Sequence, residues 1–292
     1  MIAAVPLTRF RYFIHREDYL HYLSSDEGQS QRPDMEASVI LAAHTQRITF
    51  YCYAHGGAGR LITPTLQGGA YNWRESGACS VCKNISRVRL AAEWIIRAAQ
   101  NYREPRIYLT EQRTPLYKTL RKTLPNVVGS EYVPDVLTRI KAITKLVTYT
   151  LDVTARIRHE DVCQLTFPDA SLDLIGSFDV LEHVPDYGQA IREFYRVLVV
   201  GGQLLLTAPF LAGSLTTLVR ATITDGVTTH LEPAEFHGNP TKPRDGLLCY
   251  YHFGWDLLDT LRSSGFRSVA LLDAWGMETA IFGDQRAIVA TK

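Results

Sequence analysis

Apolar and polar positions along the 292-residue chain follow two periods, and the change from one to the other marks out elements. From Asn84 to Tyr102 the apolar residues Val88, Ala91, Ile95, Ala98 and Tyr102 recur three or four apart, with Arg87, Glu93 and Arg97 off the stripe, which predicts a helix. A short apolar strand, Ile107 to Leu109, follows Pro105. Thr114-Pro115 then supplies an N-cap and a proline at the first helical position, and that helix should run to about Leu124. Val127-Val128 reads as the next strand, and Val136, Ile140, Ile143 and Val147 as another amphipathic helix. Strands near Arg156 to Glu160 and Leu172 to Phe178, a helix from Tyr187 to Leu198, Gly201-Gly202 and a strand from Gln203 to Ala208 continue the alternation. Repeated strand-helix units imply an α/β fold, a doubly wound parallel sheet with helices on both faces. The tail reads as a helix (Trp255 to Arg262) capped by Gly265, then strands at Val269 to Asp273 and Ala287 to Thr291. Residues 210–250, rich in Gly, Thr, His and Pro, follow the fifth strand at the face where such sheets bind ligands, and are expected to form a lid.

The first 103 residues have another texture. Arg9 to Leu23 is aromatic and charged and suggests one helix, and Ser24 to Pro33 suggests a polar loop. Residues 49–82 hold short β-like pieces among glycines, too little apolar bulk to stand alone, where a metal, a disulfide or a neighbouring domain usually supplies the missing stability. Cys52, His55, Cys79 and Cys82 give C-x-x-H-G followed by C-x-x-C, the ligand pairs of a closed, structural Cys3His zinc site. The alternative is two unrelated cysteine clusters. Arg74, Arg87 and Arg89 flank it, facing either an anionic substrate or solvent.

Composition limits the choices further. Thirty-one Lys and Arg against 30 Asp and Glu give a net charge of +1, which excludes a strongly basic nucleic-acid binder. The total hides an asymmetry: 12 basic and 8 acidic residues up to Arg103, 19 and 22 after it, as two modules would have, 1–103 (with the zinc module at about 48–83 and a bridging helix) and 104–292. No apolar run reaches the roughly 18 residues of a membrane span, and the N-terminus is too short in apolar residues for a signal peptide. Five cysteines, an odd number, argue against a secreted disulfide framework. A cytoplasmic protein is expected, with a small-molecule substrate, no membrane or nucleic-acid partner, and a second copy as its partner in a homodimer.

Residues 161–209 read DVCQLTFPDASLDLIGSFDVLEHVPDYGQAIREFYRVLVVGGQLLLTAP. This stretch resembles the class I S-adenosylmethionine (SAM) dependent methyltransferases of the small-molecule, type 11-like branch, with their D-x-x-x-L-P-F-x-D-x-S-F-D, V-L-E-H-x-x-D and R-V-L-K-P-G-G motifs in order. The resemblance implies a Rossmann-like sheet closed by an antiparallel pair of strands, SAM as cofactor, and methyl transfer to a small molecule. It implies that Glu131 takes the ribose hydroxyls, that Asp161, beside Val162, contacts the adenine amine, and that Phe178 and Asp179 face cofactor and substrate. Where the family has an acid and a glycine-rich turn after its first strand, this chain has Glu111-Gln112-Arg113-Thr114, so Glu111 and Gln112 are expected to hold the methionine end through side chains.

Glu235, His237, Asn239, His252 and Trp255 in and beside the lid are a polar and aromatic mixture suited to a hydroxylated acceptor. A histidine's near-neutral pKa suits it to take the acceptor's proton, which makes His237, His252 and His183 the candidate bases. Glu182 reads as a cap or buttress for the helix after it. O-methylation of a hydroxylated metabolite or sugar is the leading expectation. The alternative is a degenerate fold that binds SAM or a partner without methyl transfer. A nicotinamide dehydrogenase is disfavoured because no G-x-G-x-x-G follows a predicted strand.

Overall fold

The computed structural model describes residues 8–45, 48–62, 64, 66–67, 70–134, 140, 156–238 and 246–292. They form two compact units, one of residues 1–103, 118–124 and 270–287, the other of residues 104–117, 125–269 and 288–292.

The first unit begins with a strand, β1 (Arg9–Phe13), followed by helices α1 (Arg16–Leu23) and α2 (Arg32–Thr45). The single helix expected from Arg9 to Leu23 is therefore corrected: its first five residues pair antiparallel with Leu271–Trp275, from Arg9 opposite Trp275 to Phe13 opposite Leu271. The polar run expected to be a loop holds a π-helical turn (Glu27–Gln31) that leads into α2. Buried polar pairs fix α2, with Arg32 2.8 Å from Asp273 and Glu36 Oε1 accepting from the Trp275 indole and the Gly283 amide. Strands β2 (Thr49–Cys52) and β3 (Gly57–Arg60) form a hairpin whose turn uses Gly56 at φ +71°. Helix α3 (Ser86–Ala99) buries Ala91, Ile95 and Ala98 of the expected stripe together with Leu90 and Trp94, while Val88 is half-buried and Glu93, expected off the stripe, is buried against Thr8. Arg89 corrects another expectation: only 2% exposed, it faces neither solvent nor an open cleft. Its guanidinium donates to the carbonyls of Gly77, Thr279 and Ala280 and the Ser86 hydroxyl, and lies over the Phe50 ring. Arg87 pairs with Glu75 at 2.8 Å.

The second unit is built on a parallel ladder. Strand β4 (Ile107–Leu109) lies between β5 (Val127–Gly129) and β6 (Leu172–Phe178), and β6 lies beside β7 (Leu198–Thr207). The final residues Ile288–Thr291 run antiparallel along Leu206–Gln203, closing the ladder as the resemblance implies. Every residue of β4 is buried, and so is β6 up to Ser177, as expected of strands covered on both faces. Between β4 and β5 the helix α4 (Pro115–Thr123) starts at the Thr114 cap, whose hydroxyl accepts the Tyr117 amide. The strand expected at 156–160 is reduced to one parallel bridge, His159 to Glu131, and the helix expected at Val136–Val147 lies outside the described residues. Helix α5 (Tyr187–Val197) passes into β7 with no loop, so that strand begins at Leu198 rather than Gln203. Helix α6 (Asp256–Ser263) ends at Gly265, where φ is +109° and a Cβ would lie 2.7 Å from the Tyr195 ring, so only glycine fits.

The insertion expected as a lid carries short antiparallel pairings: Ala221–Thr224 with Val227–His230, Phe236–His237 with Leu247–Leu248, and Leu218–Val219 with Tyr251–His252. Asn239 falls outside the described residues. Among those described, no helix is long and apolar enough to cross a membrane.

Candidate functional site

The carboxyl ends of the parallel strands, where doubly wound sheets take ligands, carry most of the residues expected to hold the cofactor. After β4 the chain turns through Glu111–Thr114 without a glycine, and the space is provided from the other side. Gly129, at the end of β5, lies against the Glu111 carbonyl, and a Cβ there would also be 2.6 Å from Tyr117 Cε2. Glu131 then closes on the turn, its Oε1 accepting the amides of Gln112 (3.0 Å) and Arg113 (2.9 Å). Burial raises the Glu131 carboxyl and those two amides oppose the shift. The Gln112 side chain is engaged in the chain's own backbone: Nε2 donates to the Arg156 carbonyl (2.6 Å) and Oε1 accepts the Arg158 amide (2.9 Å). That geometry gives Gln112 a stapling role, which differs from the direct ligand contact expected of it.

Asp161 makes a local turn, with Oδ1 accepting the Cys163 amide at 2.8 Å, and Val162 beside it is half-buried. The loop after it is pinned by the R-V-L arginine: Arg196 donates to the carbonyls of Leu165 and Phe167 and is held by Glu193. Phe178 and Asp179 end β6. Asp179 sits at φ +53°, its amide donating to the Thr207 carbonyl and its carboxylate accepting the Thr207 hydroxyl at 3.0 Å.

Directly after Asp179 the 3-10 turn Leu181–His183 presents Glu182 and His183 to the lid. All three candidate histidines gather here with two carboxylates. His237 Nε2 is 2.8 Å from Glu235 Oε1, His252 Nε2 is 3.2 Å from the same atom, and Arg220 is 3.2 Å from Glu235 Oε2. On the other side, Glu182 Oε1 is 3.7 Å from His183 Nε2 and 3.6 Å from His237 Nδ1. Glu182 is fully buried, and neither of its carboxylate oxygens has a hydrogen-bond partner among the described residues. It does not cap the next helix, since Asp186 caps α5 by accepting the Gln189 amide. Glu182 and Glu235 beside it push His237 up to about 9 against the opposing effect of burial. Glu182 and Glu235 were undervalued by the sequence reading, although a carboxylate between two apolar residues and a histidine was a usable signal.

In the first unit Cys52, His55, Cys79 and Cys82 converge. Their ligand atoms lie within 4.8 Å of one another, with Cys52 and Cys82 sulfurs 3.7 Å apart and Cys79 Sγ 3.3 Å from His55 Nε2. A Cβ at Gly59 would lie 2.6 Å from Cys79 Sγ, so that glycine keeps the pocket open. Hydrogen bonding with Cys52 and Cys82 holds the Cys79 thiol down, and hydrogen bonding with Cys79 and Cys82 holds Cys52 up. Cys163 and Cys249 stand apart, both pushed up to about 11 by burial.

Comparison with known proteins agrees with the motifs of this stretch. A family described as a methyltransferase domain matches residues 114–206. A probable S-adenosylmethionine-dependent methyltransferase of Mycolicibacterium smegmatis is 30% identical over 151 residues, 50% of this chain and 54% of that protein. The 27-O-demethylrifamycin SV methyltransferase of Amycolatopsis mediterranei is 42% identical over 60 residues, 20% of this chain and 22% of its own length. The chain thus spans about half or less of the length of these relatives. The crystal structure of an S-adenosylmethionine dependent methyltransferase from Mesorhizobium loti has a TM-score of 0.42 and 15% identity, covering 68% of this chain and 96% of that one. By its V-L-E-H and R-V-L motifs and the family match, the stretch of residues 114–206 is a methyltransferase domain similar to those of S-adenosylmethionine-dependent methyltransferases.

Proposed function

We propose that the protein is a SAM-dependent methyltransferase that methylates a hydroxyl of a small molecule, with SAM held at the ends of β4, β5 and β6 and the acceptor under the lid. The observation that carries this reading is the gathering of His183, His237 and His252 around Glu182 and Glu235, immediately after the strand that ends in Asp179. Methyl transfer from a sulfonium to a hydroxyl releases one proton. His252, held by the Glu235 carboxylate, is suited to receive it, while His237, pushed up to about 9 by Glu182 and Glu235, stands beside it as a cation at neutral pH and gives up its own proton only at higher pH. The rifamycin relative, whose name specifies an O-methylated position, supports oxygen as the acceptor atom. Catalysis would otherwise be positioning, the acceptor oxygen held about 3 Å from the methyl carbon in line with the departing sulfur.

On the cofactor side, Glu111, Glu131, Asp161, Val162, Phe178 and Asp179 would line the site, and Gln112 would shape it by fixing the neighbouring chain. SAM, when bound, supplies the electrophilic methyl group. Cys52, His55, Cys79 and Cys82 fit a structural zinc ion, with four N and S donors closing a tetrahedron and leaving no position for water. The test is twofold. Calorimetric titration with SAM and S-adenosylhomocysteine should give saturable binding, and mass spectrometry of hydroxylated metabolites incubated with enzyme and SAM should show the gain of one methyl group. Absence of heat at high ligand concentration would remove the methyltransferase reading.

A further inference from the structure

We propose that Glu182, His183 and His237 form a second metal site, one for a divalent transition-metal ion at the acceptor side of the lid. The inference rests on the reading of this cluster as the acceptor site and adds to it the ion that would bind the hydroxyl.

The argument starts from the direction of each nitrogen. His183 Nδ1 is 2.8 Å from the Leu248 carbonyl, an acceptor, so this nitrogen carries the proton and Nε2 presents a lone pair. His237 Nε2 is 2.8 Å from the Glu235 carboxylate, so a proton lies there and Nδ1 is the nitrogen left for a ligand; without an ion, with this imidazole pushed up to about 9, Nδ1 is protonated as well. Both nitrogens face one carboxylate oxygen, Glu182 Oε1, at 3.7 and 3.6 Å. The carboxylate that joins them is fully buried and makes no hydrogen bond among the described residues. A buried carboxylate of that kind needs a cation against it: the His237 imidazolium serves without metal, and a divalent ion would displace the Nδ1 proton and take its place.

The spacing suits a metal. Donors at about 2.0–2.2 Å from an ion in a tetrahedral arrangement are about 3.4 Å apart, close to the separations between Glu182 and each imidazole. Two histidines and one carboxylate form a set that leaves coordination positions open, as a catalytic site requires. The outer contacts match as well. A ligating histidine usually donates its second N–H to a carboxylate or a backbone carbonyl, and the structure has one of each, Glu235 for His237 and Leu248 for His183. The neighbouring group of Glu235, Cys249 and His252 is a weaker candidate. Glu235 already bonds His237, His252 and Arg220, and the Cys249 thiol donates to the Tyr251 carbonyl.

An ion held here would take the acceptor hydroxyl at an open position and lower its pKa as a Lewis acid. The hydroxyl proton leaves to His252, which stays outside the ion on Glu235. The oxygen then attacks the methyl carbon, the carbon–oxygen bond forms as the carbon–sulfur bond breaks, and S-adenosylhomocysteine departs with the sulfur electron pair. No oxidant or reductant is required.

Zinc is the suitable probe, because a site of nitrogen and oxygen donors that takes Mn2+ or Fe2+ binds Zn2+ more tightly. The full chain is equilibrated with a small excess of Zn2+, passed through a desalting column and analysed for metal per chain. Glu182→Gln and His183→Gln should each lower the content by one zinc per chain relative to the unsubstituted protein. Cys79→Ser should remove a different zinc and leave this one in place. Binding of S-adenosylhomocysteine, measured on the same samples, reports whether each variant is folded and whether the cofactor reading stands by itself. Equal zinc in the unsubstituted protein and both Glu182→Gln and His183→Gln would overturn the metal site, whatever the outcome of the methyl-transfer assay.

Discussion

A single methyl group at Gly129 tests how the glycine-free turn after β4 is accommodated. Gly129→Ala places a Cβ against the Glu111 carbonyl and 2.6 Å from Tyr117 Cε2. Carbon atoms rest at about 3.5–4.0 Å, so about 1 Å of movement is needed. The carbonyl belongs to the backbone and cannot rotate away, so the turn itself must move. The same turn delivers the amides of Gln112 and Arg113 to Glu131 at 3.0 and 2.9 Å, and about 1 Å of displacement carries such bonds to the limit of useful length. Overpacking costs about 1–3 kcal/mol, and weakened hydrogen bonds to a buried carboxylate add about 1–2 kcal/mol. Replacing a strand glycine returns about 0.5–1 kcal/mol of chain entropy, so the net loss should be about 1–4 kcal/mol. Urea unfolding measures it, with Gly188→Ala in α5 as the control: there a Cβ meets nothing nearer than 3.5 Å, and stability should rise by about 0.5–1 kcal/mol. Affinity for S-adenosylhomocysteine should fall at least about tenfold in Gly129→Ala, because the displaced turn would line the proposed cofactor site. If Gly129→Ala unfolds within about 0.5 kcal/mol of the parent and binds the cofactor product equally well, the account of the turn is wrong.

His237→Ala should reduce turnover by about two orders of magnitude with S-adenosylhomocysteine affinity unchanged, read by steady-state kinetics beside calorimetry. Cys79→Ser, or exposure to a strong chelator, should lower zinc content by one per chain and render residues 48–83 sensitive to limited proteolysis, since that segment has little apolar core of its own. Asp173 gives a pH dependence of stability. Burial alone would raise its carboxyl, but the guanidinium and amide of Arg106, at 2.8 to 3.0 Å, hold it below the usual aspartate range. Because the folded pKa is the lower one, the stabilisation is complete above the unfolded value of about 4 and disappears as pH falls through the folded value. Denaturant titrations should therefore show a steeper acid loss for the parent than for Asp173→Asn. Equal acid slopes would count against the pairing.

How far the sequence could be read depended on the range of the interactions involved. Ala91, Ile95 and Ala98 announce α3 because a helix records its buried face in local spacing, and Thr114-Pro115 announces the start of α4 for the same local reason, whereas the burial of Glu93, expected off that face, depends on Thr8, 85 residues away. Arg9–Phe13 was misread because its aromatic and charged residues fit a helix as well as a strand, and the choice is made by Leu271–Trp275, more than 250 residues away. The three candidate histidines are legible as chemistry. Their grouping is not, since it depends on Phe236–His237 pairing with Leu247–Leu248 and on the turn that carries Glu182. Gln112 shows the converse: the resemblance gave it a ligand, and the folded chain gives it the backbone of Arg156 and Arg158.

Arg89 links the cysteine cluster to charge balance. Its hydrogen-bond partners are three carbonyls and a hydroxyl, all neutral, so this buried cation has no carboxylate among them. A divalent ion among three thiolates and one imidazole carries a net charge of −1, and the negative cysteines are the groups that most favour the charged form of Arg89. With a divalent ion in place that charge would offset the guanidinium. Without it, Arg89 keeps the attraction of Cys79, whose thiol is held down, and of the buried Glu93, a weaker balance. Removal of the metal would therefore be felt along α3 and not only at the cysteines.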